Sequence, residues 1–373
     1  MTTYEKTAGS GVAGPDRKDV VIWILGILLV IAIGAALRAM TAVAVPVIFA
    51  VLITLVMAPL HARLERMLPD WAKLLALLGV MVLLLGIIAL FVGALVFAAE
   101  RVLAKLPDVS GGFQSLLPSG EGASALLGGR VQELWSSLGS NLGGRLVDQI
   151  SGLAQAIAGM TGAFVTTLVL ILFLVMLAVS ERSVWRGKMK SLSSGAGIEG
   201  WAEALNTVAA RLRRFLVIRT AVGLLQAVLY VVWLWYFGID LLFVWAILTF
   251  VLTYIPNLGS IIAGSMPVLY VLVTKDWQTA LGVAAGLFVI EQVVGNYLDP
   301  RLLGRQIALS PFIILAGLLF WGSIWGAVGA FLATPIMLSL LVIFNTVPHL
   351  RPVALLLSDQ KTPEALDEAL AQE

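Results

Sequence analysis

Long apolar runs alternate with short polar connections along nearly the whole chain. A helix needs about 20 largely apolar residues to cross the hydrocarbon core of a bilayer, and eight runs approach or exceed that length. The pattern predicts an all-α, polytopic membrane protein with about eight transmembrane helices. The runs cover residues 20–37, 41–60, 74–99, 153–179, 216–237, 241–255, 279–294 and 312–344.

One further apolar stretch is too short for an easy span. Residues 261–273 directly follow Pro256, Asn257 and Gly259. Proline removes a backbone donor and glycine tolerates unusual dihedral angles, so a continuous helix is disfavoured there. We therefore predict a broken or re-entrant segment at this point.

The last run has the opposite problem, because residues 312–344 are too many for one straight span. Gly322 and Gly326, with Pro335 further on, predict that the run breaks or bends. The pairs Gly282/Gly286 and Gly322/Gly326 also have the spacing that allows two helices to approach closely, and packing is the predicted role of both pairs.

The polar connections divide the chain into seven segments. Basic residues are concentrated in the N-terminal tail and in the connections at 61–73 and 181–219, and such residues favour the cytoplasmic side. We predict a multi-pass protein of the inner (plasma) membrane with a cytoplasmic N-terminus, and the topology after residue 255 stays open. The predicted segments are a cytoplasmic tail (1–19), three transmembrane helices (20–99), an external helical subdomain (100–152), a fourth transmembrane helix (153–180), a cytoplasmic basic and amphipathic segment (181–215), a C-terminal transport core (216–347) and a C-terminal tail (348–373).

Residues 201–219 have the pattern of an amphipathic helix that lies in the cytoplasmic interface. Its apolar positions recur at spacings of three and four, while Arg211 and Arg214 fall elsewhere on the helical wheel, towards lipid headgroups. Two roles stay open, a simple linker and a coupling helix that moves with the transport cycle. The acidic tail at 358–373 is predicted to be an exposed helix or disordered.

The composition also indicates a membrane protein and limits the chemistry that its side chains can perform. The 373 residues are 60% hydrophobic and 12% charged, whereas a soluble domain is about half apolar and a quarter charged. The bilayer is thus the expected solvent and partner, and a net charge of +2 is too small to indicate a nucleic-acid partner. The chain has no cysteine and two histidines, which are too few for a metal cluster. We predict no enzyme activity, no cofactor and no metal site.

A carboxylate in the seventh run is the sharpest functional candidate. Glu291 lies among apolar residues, one position before Gln292. A low dielectric disfavours a charged carboxylate, so Glu291 is suited to carry a proton, bind a cation or pair with a mobile arginine. In the structural alternative it caps a helix end near the interface and pairs with Arg301 or Arg305.

Further polar candidates surround two helix breaks. Asn296 and Asp299 can cap or turn the chain, and two following arginines can hold an anionic or hydroxyl-rich ligand with planar donor forks, although an ordinary interface loop has the same residues. Backbone groups freed at the first break are tolerated where they line water or are buried in protein, and a plain tight turn is the alternative. The residues predicted to line a substrate or ion pathway are Pro256, Asn257, Gly259, Glu291, Gln292, Asn296, Asp299, Arg301 and Arg305, with Gln226 and Tyr254 as secondary candidates.

The C-terminal part of the chain carries a set of spaced motifs. They are Pro256-Asn257-Leu258-Gly259, Glu291-Gln292, Gly295-Asn296, Pro300, Gly304, Pro311, Gly322, Gly326, Gly329 and Ala333-Thr334-Pro335. This set resembles the pattern of the autoinducer-2 exporter (AI-2E) family of bacterial and archaeal permeases, densely over residues 255–341 and only in architecture before them. Ser310 departs from the pattern, because a histidine is common at that position in relatives, and this weakens any role that needs imidazole there.

The resemblance implies secondary transport without ATP, about eight spanning helices with re-entrant elements, and a homo-oligomer such as a pentamer. The family takes its name from export of the signal autoinducer-2, and other members look like sodium/proton antiporters. The family's polar pattern falls on Pro256, Gly259, Glu291, Gln292, Asn296, Pro300, Arg301 and Gly304.

Three functional hypotheses follow. The first is a permease that exports a small polar metabolite or signal such as autoinducer-2, with Glu291 as the proton- or ligand-coupled carboxylate and Arg301 or Arg305 to neutralise or orient it. The second is a sodium/proton antiporter, against which counts the lack of a second acid inside the central runs. The third is an oligomeric membrane scaffold that transports nothing.

Overall fold

A computed structural model gives the fold and describes residues 17–67, 73–115, 161–181, 201–256, 258–303 and 308–371, with isolated positions at 148, 152, 155, 184, 185, 187, 188 and 191. These residues are almost entirely helical, and the extended contact among them is an isolated bridge between Leu309 and Ser358. The all-α fold class is therefore confirmed. The α-helices are α1 (Arg17–Ala39), α2 (Thr41–Met67), α3 (Lys73–Ser115), α4 (Thr161–Ser180), α5 (Trp201–Tyr236), α6 (Leu242–Leu252), α7 (Leu258–Thr274), α8 (Trp277–Ile290), α9 (Asp299–Leu303), α10 (Pro311–Thr346), α11 (Arg351–Leu357) and α12 (Pro363–Ala371).

Three helical segments in the described part are long and apolar enough to cross a membrane. They are Glu203–Tyr236, Trp277–Leu302 and Pro311–Thr346, and a fourth is reached if the bent pair at 24–39 and 41–57 counts as one span. The predicted number of eight is not confirmed. The chain forms two compact units, Met1–Val45 and Pro46–Glu373, and the site described below lies in the second.

Helix α5 is the central element of this second unit. It continues without interruption from Trp201 to Tyr236, so the predicted change from an interfacial helix to a spanning helix near residue 216 does not break it. Arg211, which we expected to face headgroups, is buried, and its Nη2 donates to the carbonyl oxygen of Ala369 in α12 at 2.6 Å. Arg214 is exposed, as expected.

Another arginine of α5 contacts helix α2. Arg213 Nε donates to the carbonyl oxygen of Leu55 at 3.0 Å. In a regular helix the N–H of residue 59 would donate to this carbonyl, but Pro59 has no N–H. The arginine thus replaces a helical hydrogen bond that the proline removes.

Helix α3 extends further than the apolar run predicts. It continues past residue 99 to Ser115, so the first residues of the predicted external segment are helical. Lys105 of this extension forms an ion pair with Asp240, just before α6, at 3.1 Å. Most of the predicted external segment, residues 116–147, lies outside the described residues.

Helices α6 and α7 form a hairpin beside the C-terminal half of α5. At its open end, Lys275 Nζ donates to the carbonyl oxygens of Phe237 and Gly238 at 2.7 and 2.8 Å. At its turn, the arms come so close that a Cβ on Gly259 would lie 1.8 Å from the carbonyl oxygen of Leu252. Helix α6 has 11 residues, or about 16 Å, against a hydrocarbon core of about 30 Å. The run at 241–255 is therefore one arm of a hairpin and not the span that was predicted.

Helix α10 folds back on itself at Gly326, which has φ 62° and ψ −141°. A Cβ on Gly317 would lie 2.7 Å from Met337 Cγ, although residues 20 apart are about 30 Å apart in a straight helix. The arms at 311–325 and 327–346 thus lie side by side, and the predicted break is confirmed. The packing role predicted for Gly326 is wrong, because no atom of the described residues would lie within 4 Å of a Cβ there. Its positive φ makes it the turn.

The other glycine pair with a predicted packing role, Gly282/Gly286, does pack closely. A Cβ on Gly286 of α8 would lie 1.9 Å from the Trp233 ring of α5, and one on Gly282 would lie 2.9 Å from the Phe237 ring. Aromatic side chains of α5 therefore lie directly against the backbone of α8. The core formed by α5 to α8 includes the buried residues Tyr230, Leu234, Trp245, Val271, Val283 and Leu287.

The acidic tail is a docked helix. Leu366 of α12 is fully buried, and Asp367 accepts hydrogen bonds from Asn345 Nδ2 at 2.8 Å and from Arg351. Partial burial raises the pKa of the Asp367 carboxyl, but the two hydrogen bonds and the charge of Arg351 outweigh it, so this pKa lies below its ordinary value. The sequence prediction of a helix is thus confirmed for 363–371, with Glu364 and Glu368 exposed as expected, but the helix is not exposed all round, because Leu366 and Ala369 are buried.

The two hairpins approach α5 from opposite ends. The open end of α6–α7 lies at Phe237, whereas α12, which holds the open end of α10, lies at Arg211. About 39 Å of helix separates these two positions. Their turns consequently meet beside the middle of α5.

Candidate functional site

The candidate site is built around a stretch of π-helix that directly continues α8. Residues Glu291–Leu298 form this stretch, and α9 follows at Asp299. The sequence predicts a connection here, stopped by Pro300, but the helix continues through Pro300 into α9. A π stretch widens a helix locally and is frequent at functional sites.

A polar cavity of about 80 Å³ lies between α5, the turn of the α6–α7 hairpin and the π stretch. A space of this size has room for several water molecules or part of a small solute. Its lining combines charged, amide and hydroxyl side chains with the backbone of the hairpin turn. The lining residues are Arg219, Val222, Gln226, Thr253, Ile255, Pro256, Gly259, Ser260, Ala263, Glu291, Gly295, Asn296 and Asp299.

Glu291 is held in the cavity wall by neutral donors. Its Oε2 accepts a hydrogen bond from Gln226 Nε2 at 2.5 Å and a longer one from the Tyr230 hydroxyl at 3.4 Å. Gly295 leaves the room that this carboxylate occupies, since a Cβ there would lie 2.3 Å from Glu291 Oε1. No lysine or arginine of the described residues forms an ion pair with Glu291.

Arg219 and Asp299 form a buried ion pair beside Glu291. Arg219 Nη1 donates to Asp299 Oδ2 at 2.8 Å, and each side chain is 11% exposed. Arg219 Nε and Asp299 Oδ1 are also buried, and neither has a hydrogen-bond partner among the described protein atoms. A buried polar atom costs free energy unless it is satisfied, so both atoms are suited to bind water or a solute in the cavity.

Comparison with known proteins identifies the family. The chain matches the sequence profile of the AI-2E family transporter over residues 25–349, which is most of its length. It belongs to the AI-2E transporter family.

The chain resembles AI-2E relatives along most of their length. It is 28% identical to the AI-2 transport protein TqsA of Escherichia coli K12 over 345 residues, which cover 91% of this chain and 95% of that protein. It is also 28% identical to a putative transport protein of Haemophilus influenzae over 350 residues (90% and 96%), and 27% identical to putative transport protein MT0215 of Mycobacterium tuberculosis over 307 residues (79% and 80%). The chain is thus a membrane protein of a transporter family.

Six of the residues that the sequence predicts for the pathway of this AI-2E protein line the one cavity. They are Gln226, Pro256, Gly259, Glu291, Asn296 and Asp299. Tyr254 lies just behind the hairpin turn, where its hydroxyl is 2.6 Å from Thr220 Oγ1. Asn257 and Arg305 lie outside the described residues.

Two predicted residues lie away from the cavity. Gln292 is exposed, and its Oε1 accepts a hydrogen bond from Asn296 Nδ2 at 3.0 Å. Arg301 is also exposed and lies over the ring of Tyr297 at 3.9 Å. Arg301 is therefore not the cation beside Glu291, because the helix continues through Pro300 and presents Arg301 on another side.

Sequence reasoning missed Arg219, the cation that the AI-2E site does contain. It was counted among the basic residues that fix the orientation of the chain. A usable signal was present, since Arg219, Gln226 and Tyr230 recur at spacings of seven and four and so lie on one face of an apolar helix.

Proposed function

We propose that this AI-2E protein is a secondary permease that moves a small polar solute through the cavity between α5, the α6–α7 turn and the π stretch. The observation that carries the proposal is the polar lining of a cavity inside an otherwise apolar helical region. Ionisable groups in such surroundings are expensive and generally mark a pathway. The name of the E. coli relative makes autoinducer-2 the first solute to test, and export is the proposed direction.

Glu291 is the residue that we propose to couple transport to protonation or to the solute. Asp299 is neutralised by Arg219, whereas Glu291 accepts hydrogen bonds from an amide and a hydroxyl. Neutral donors can hold either charge state of a carboxyl, because an amide can rotate to accept from a protonated one. Glu291 can therefore change its charge without leaving a buried partner charge uncompensated.

The experiment is solute flux into proteoliposomes at several pH values, for the native protein and Glu291→Gln. We expect Glu291→Gln to lower flux and to flatten its dependence on pH. Glu368→Gln, the same change at an exposed position of α12, is the matched control and should behave as the native protein. Unchanged flux and pH dependence in Glu291→Gln would overturn the role of this carboxylate.

Sodium/proton antiport is the second candidate, and one observation now favours it. The sequence argued against it because no second acid was expected inside the apolar runs, yet Asp299 is buried and lines the same cavity as Glu291. Two carboxylates and one arginine leave one negative charge when all three ionise, which suits a cation or a proton. A sodium jump across vesicles with a pH dye inside separates the candidates: antiport gives a pH change without any organic solute.

A non-transporting scaffold would respond differently to the same variants. It predicts that substitutions in the cavity change the assembly state without changing flux of any solute or ion.

We propose that the protein works as a homo-oligomer in the inner membrane with its N-terminus on the cytoplasmic side. Because the chain has no native cysteine, single cysteines at exposed ends can report sidedness with impermeant reagents.

A further inference from the structure

The turns of the two hairpins touch each other next to the polar cavity. The ring centroids of Tyr254, in the α6–α7 turn, and Phe331, five residues after the turn of α10, are 4.7 Å apart. Phe49 of α2 also stacks with Phe331, at a centroid distance of 5.9 Å. These three rings are called the aromatic plug below.

The plug lies beside the end of the cavity that is nearer to α12, because Tyr254 contacts α5 at Thr220 and the cavity lining of α5 runs from Arg219 to Gln226. Thr253, Ile255 and Pro256 line the cavity, whereas Tyr254 between them points to Phe331. The hydroxyl of Tyr254 bonds with Thr220, the neighbour of Arg219 in α5. The plug is therefore level with the Arg219–Asp299 ion pair along α5, and no residue of α10 contributes to the cavity lining.

The geometry points to a gate. We propose that Tyr254 and Phe331 form the closed barrier between the cavity and the membrane face at which α12 lies, and that they separate when the cavity opens to that face. The inference rests on the proposed function, since a gate requires a pathway. Stacked rings suit the task because they exclude water yet are held by packing and one hydroxyl contact, so parting them leaves no buried charge unpaired.

The arrangement of the hairpins supports the same conclusion. Each ring is carried by its own hairpin, and the hairpins are anchored at opposite ends of α5. A movement of either hairpin relative to α5 changes the distance between the rings directly. A contact inside one rigid helix pair would not have this property.

The first test measures access to the cavity and needs no knowledge of the solute. Ser260→Cys places a thiol in the cavity wall of a chain without native cysteine. Its rate of labelling by a membrane-impermeant thiosulfonate is measured in inside-out and right-side-out vesicles, with and without Phe331→Ala. We expect Phe331→Ala to raise the rate about tenfold from one side, which corresponds to about 1.4 kcal/mol in the opening equilibrium, and to leave the other side unchanged.

The matched control is Phe312→Ala, which removes a ring of the same helix that is 75% exposed. It should not change the labelling rate from either side. An equal rate for Phe331→Ala and Phe312→Ala would overturn the gate. So would an increase of equal size from both sides, because this indicates general loosening of the fold.

A second test fixes the gate shut. In a Tyr254→Cys/Phe331→Cys variant, a short reducible crosslinker with a thiosulfonate at each end should stop solute flux, and a reductant should restore it. The control pair Gly317→Cys/Met337→Cys joins the two arms of one hairpin at a point where a Cβ on Gly317 would touch Met337, and should keep its flux after crosslinking. Undiminished flux through the protein with the crosslinked Tyr254/Phe331 pair, or failure of that pair to crosslink, overturns the gate while leaving the permease in place. Absence of flux in the native protein overturns the proposed function instead. The labelling test then still decides whether the plug closes the cavity.

Discussion

The Arg219–Asp299 ion pair allows a quantitative prediction of stability. Opposite unit charges about 4 Å apart attract by about 4 kcal/mol at an effective dielectric constant near 20, and these side chains are each 11% exposed, so solvent screens them little. Removing one partner leaves the other as an uncompensated buried charge, which typically costs about 3–5 kcal/mol. We expect Asp299→Asn and Arg219→Met each to lower the free energy of unfolding by about 3 kcal/mol.

The double variant decides whether this reasoning is right. Arg219→Met with Asp299→Asn removes both charges, so its loss should be well below the sum of the two single losses. Unfolding by SDS in mixed micelles, followed by tryptophan fluorescence, measures all three. Asp240→Asn is the matched control: its pair with Lys105 is 63% exposed on the aspartate side, and exposed pairs contribute about 1 kcal/mol or less. Single losses that add within about 0.5 kcal/mol would refute a coupled ion pair.

Three further predictions concern the rest of the fold. Gly286→Ala should destabilise the protein by about 1–3 kcal/mol, since the new methyl overlaps an indole ring, whereas Gly264→Ala, with its nearest contact at 3.6 Å, should be tolerated; thermal unfolding of both in detergent compares them. The lowered pKa of Asp367 means that its carboxylate stabilises docking of α12 above the ordinary aspartate pKa of about 3.9, and that this contribution is lost as pH falls through the lower value in the folded protein. The protection of the α12 amides against hydrogen exchange, taken relative to the intrinsic rate at each pH, should therefore fall with acidification in the native protein and be nearly independent of pH in Asp367→Asn, and equal slopes would contradict it. Arg213→Ala should cost about 1.5–3 kcal/mol in the native background but less in Pro59→Ala, where a restored N–H satisfies the same carbonyl; an equal cost in both, measured by SDS unfolding, would rule out the replacement of a helical bond.

Local sequence signals predicted the polar centre because they depend on few neighbours. Glu291 and Gln226 are conspicuous in apolar runs, and a proline followed by a glycine marks a helix break wherever it falls. The break at Gly326 was foreseeable for the same reason. In each case the physical cause lies within a few residues of the signal.

The directions of the hairpin arms and the partners of the charged side chains could not be predicted, because they depend on residues far apart in the chain. The same short apolar sequence is compatible with a membrane span and with one arm of a hairpin. The contact of Lys275 with the end of α5 distinguishes the two structures. The partner of Asp299 is 80 residues away, while Arg301, two residues away, turns to a tyrosine ring instead. Arg219 itself has two valid interpretations from sequence, a basic residue at a membrane interface and a buried counter-ion.

The two carboxylates that line the cavity have different kinds of partner, and we therefore expect them to have different roles. Asp299 faces a permanent charge, so protonating it would leave the buried guanidinium of Arg219 without its counter-charge, at a cost of several kcal/mol. Glu291 faces an amide and a hydroxyl, both of which can donate or accept, and its other oxygen occupies the room that Gly295 leaves. A change of charge at Glu291 therefore leaves no buried partner charge unpaired, whereas a change of charge at Asp299 does. It follows that Asp299→Asn should act mainly on folding, whereas Glu291→Gln should act mainly on flux and its pH dependence, and this separation is the property expected if the cavity is a transport site built on a structural ion pair.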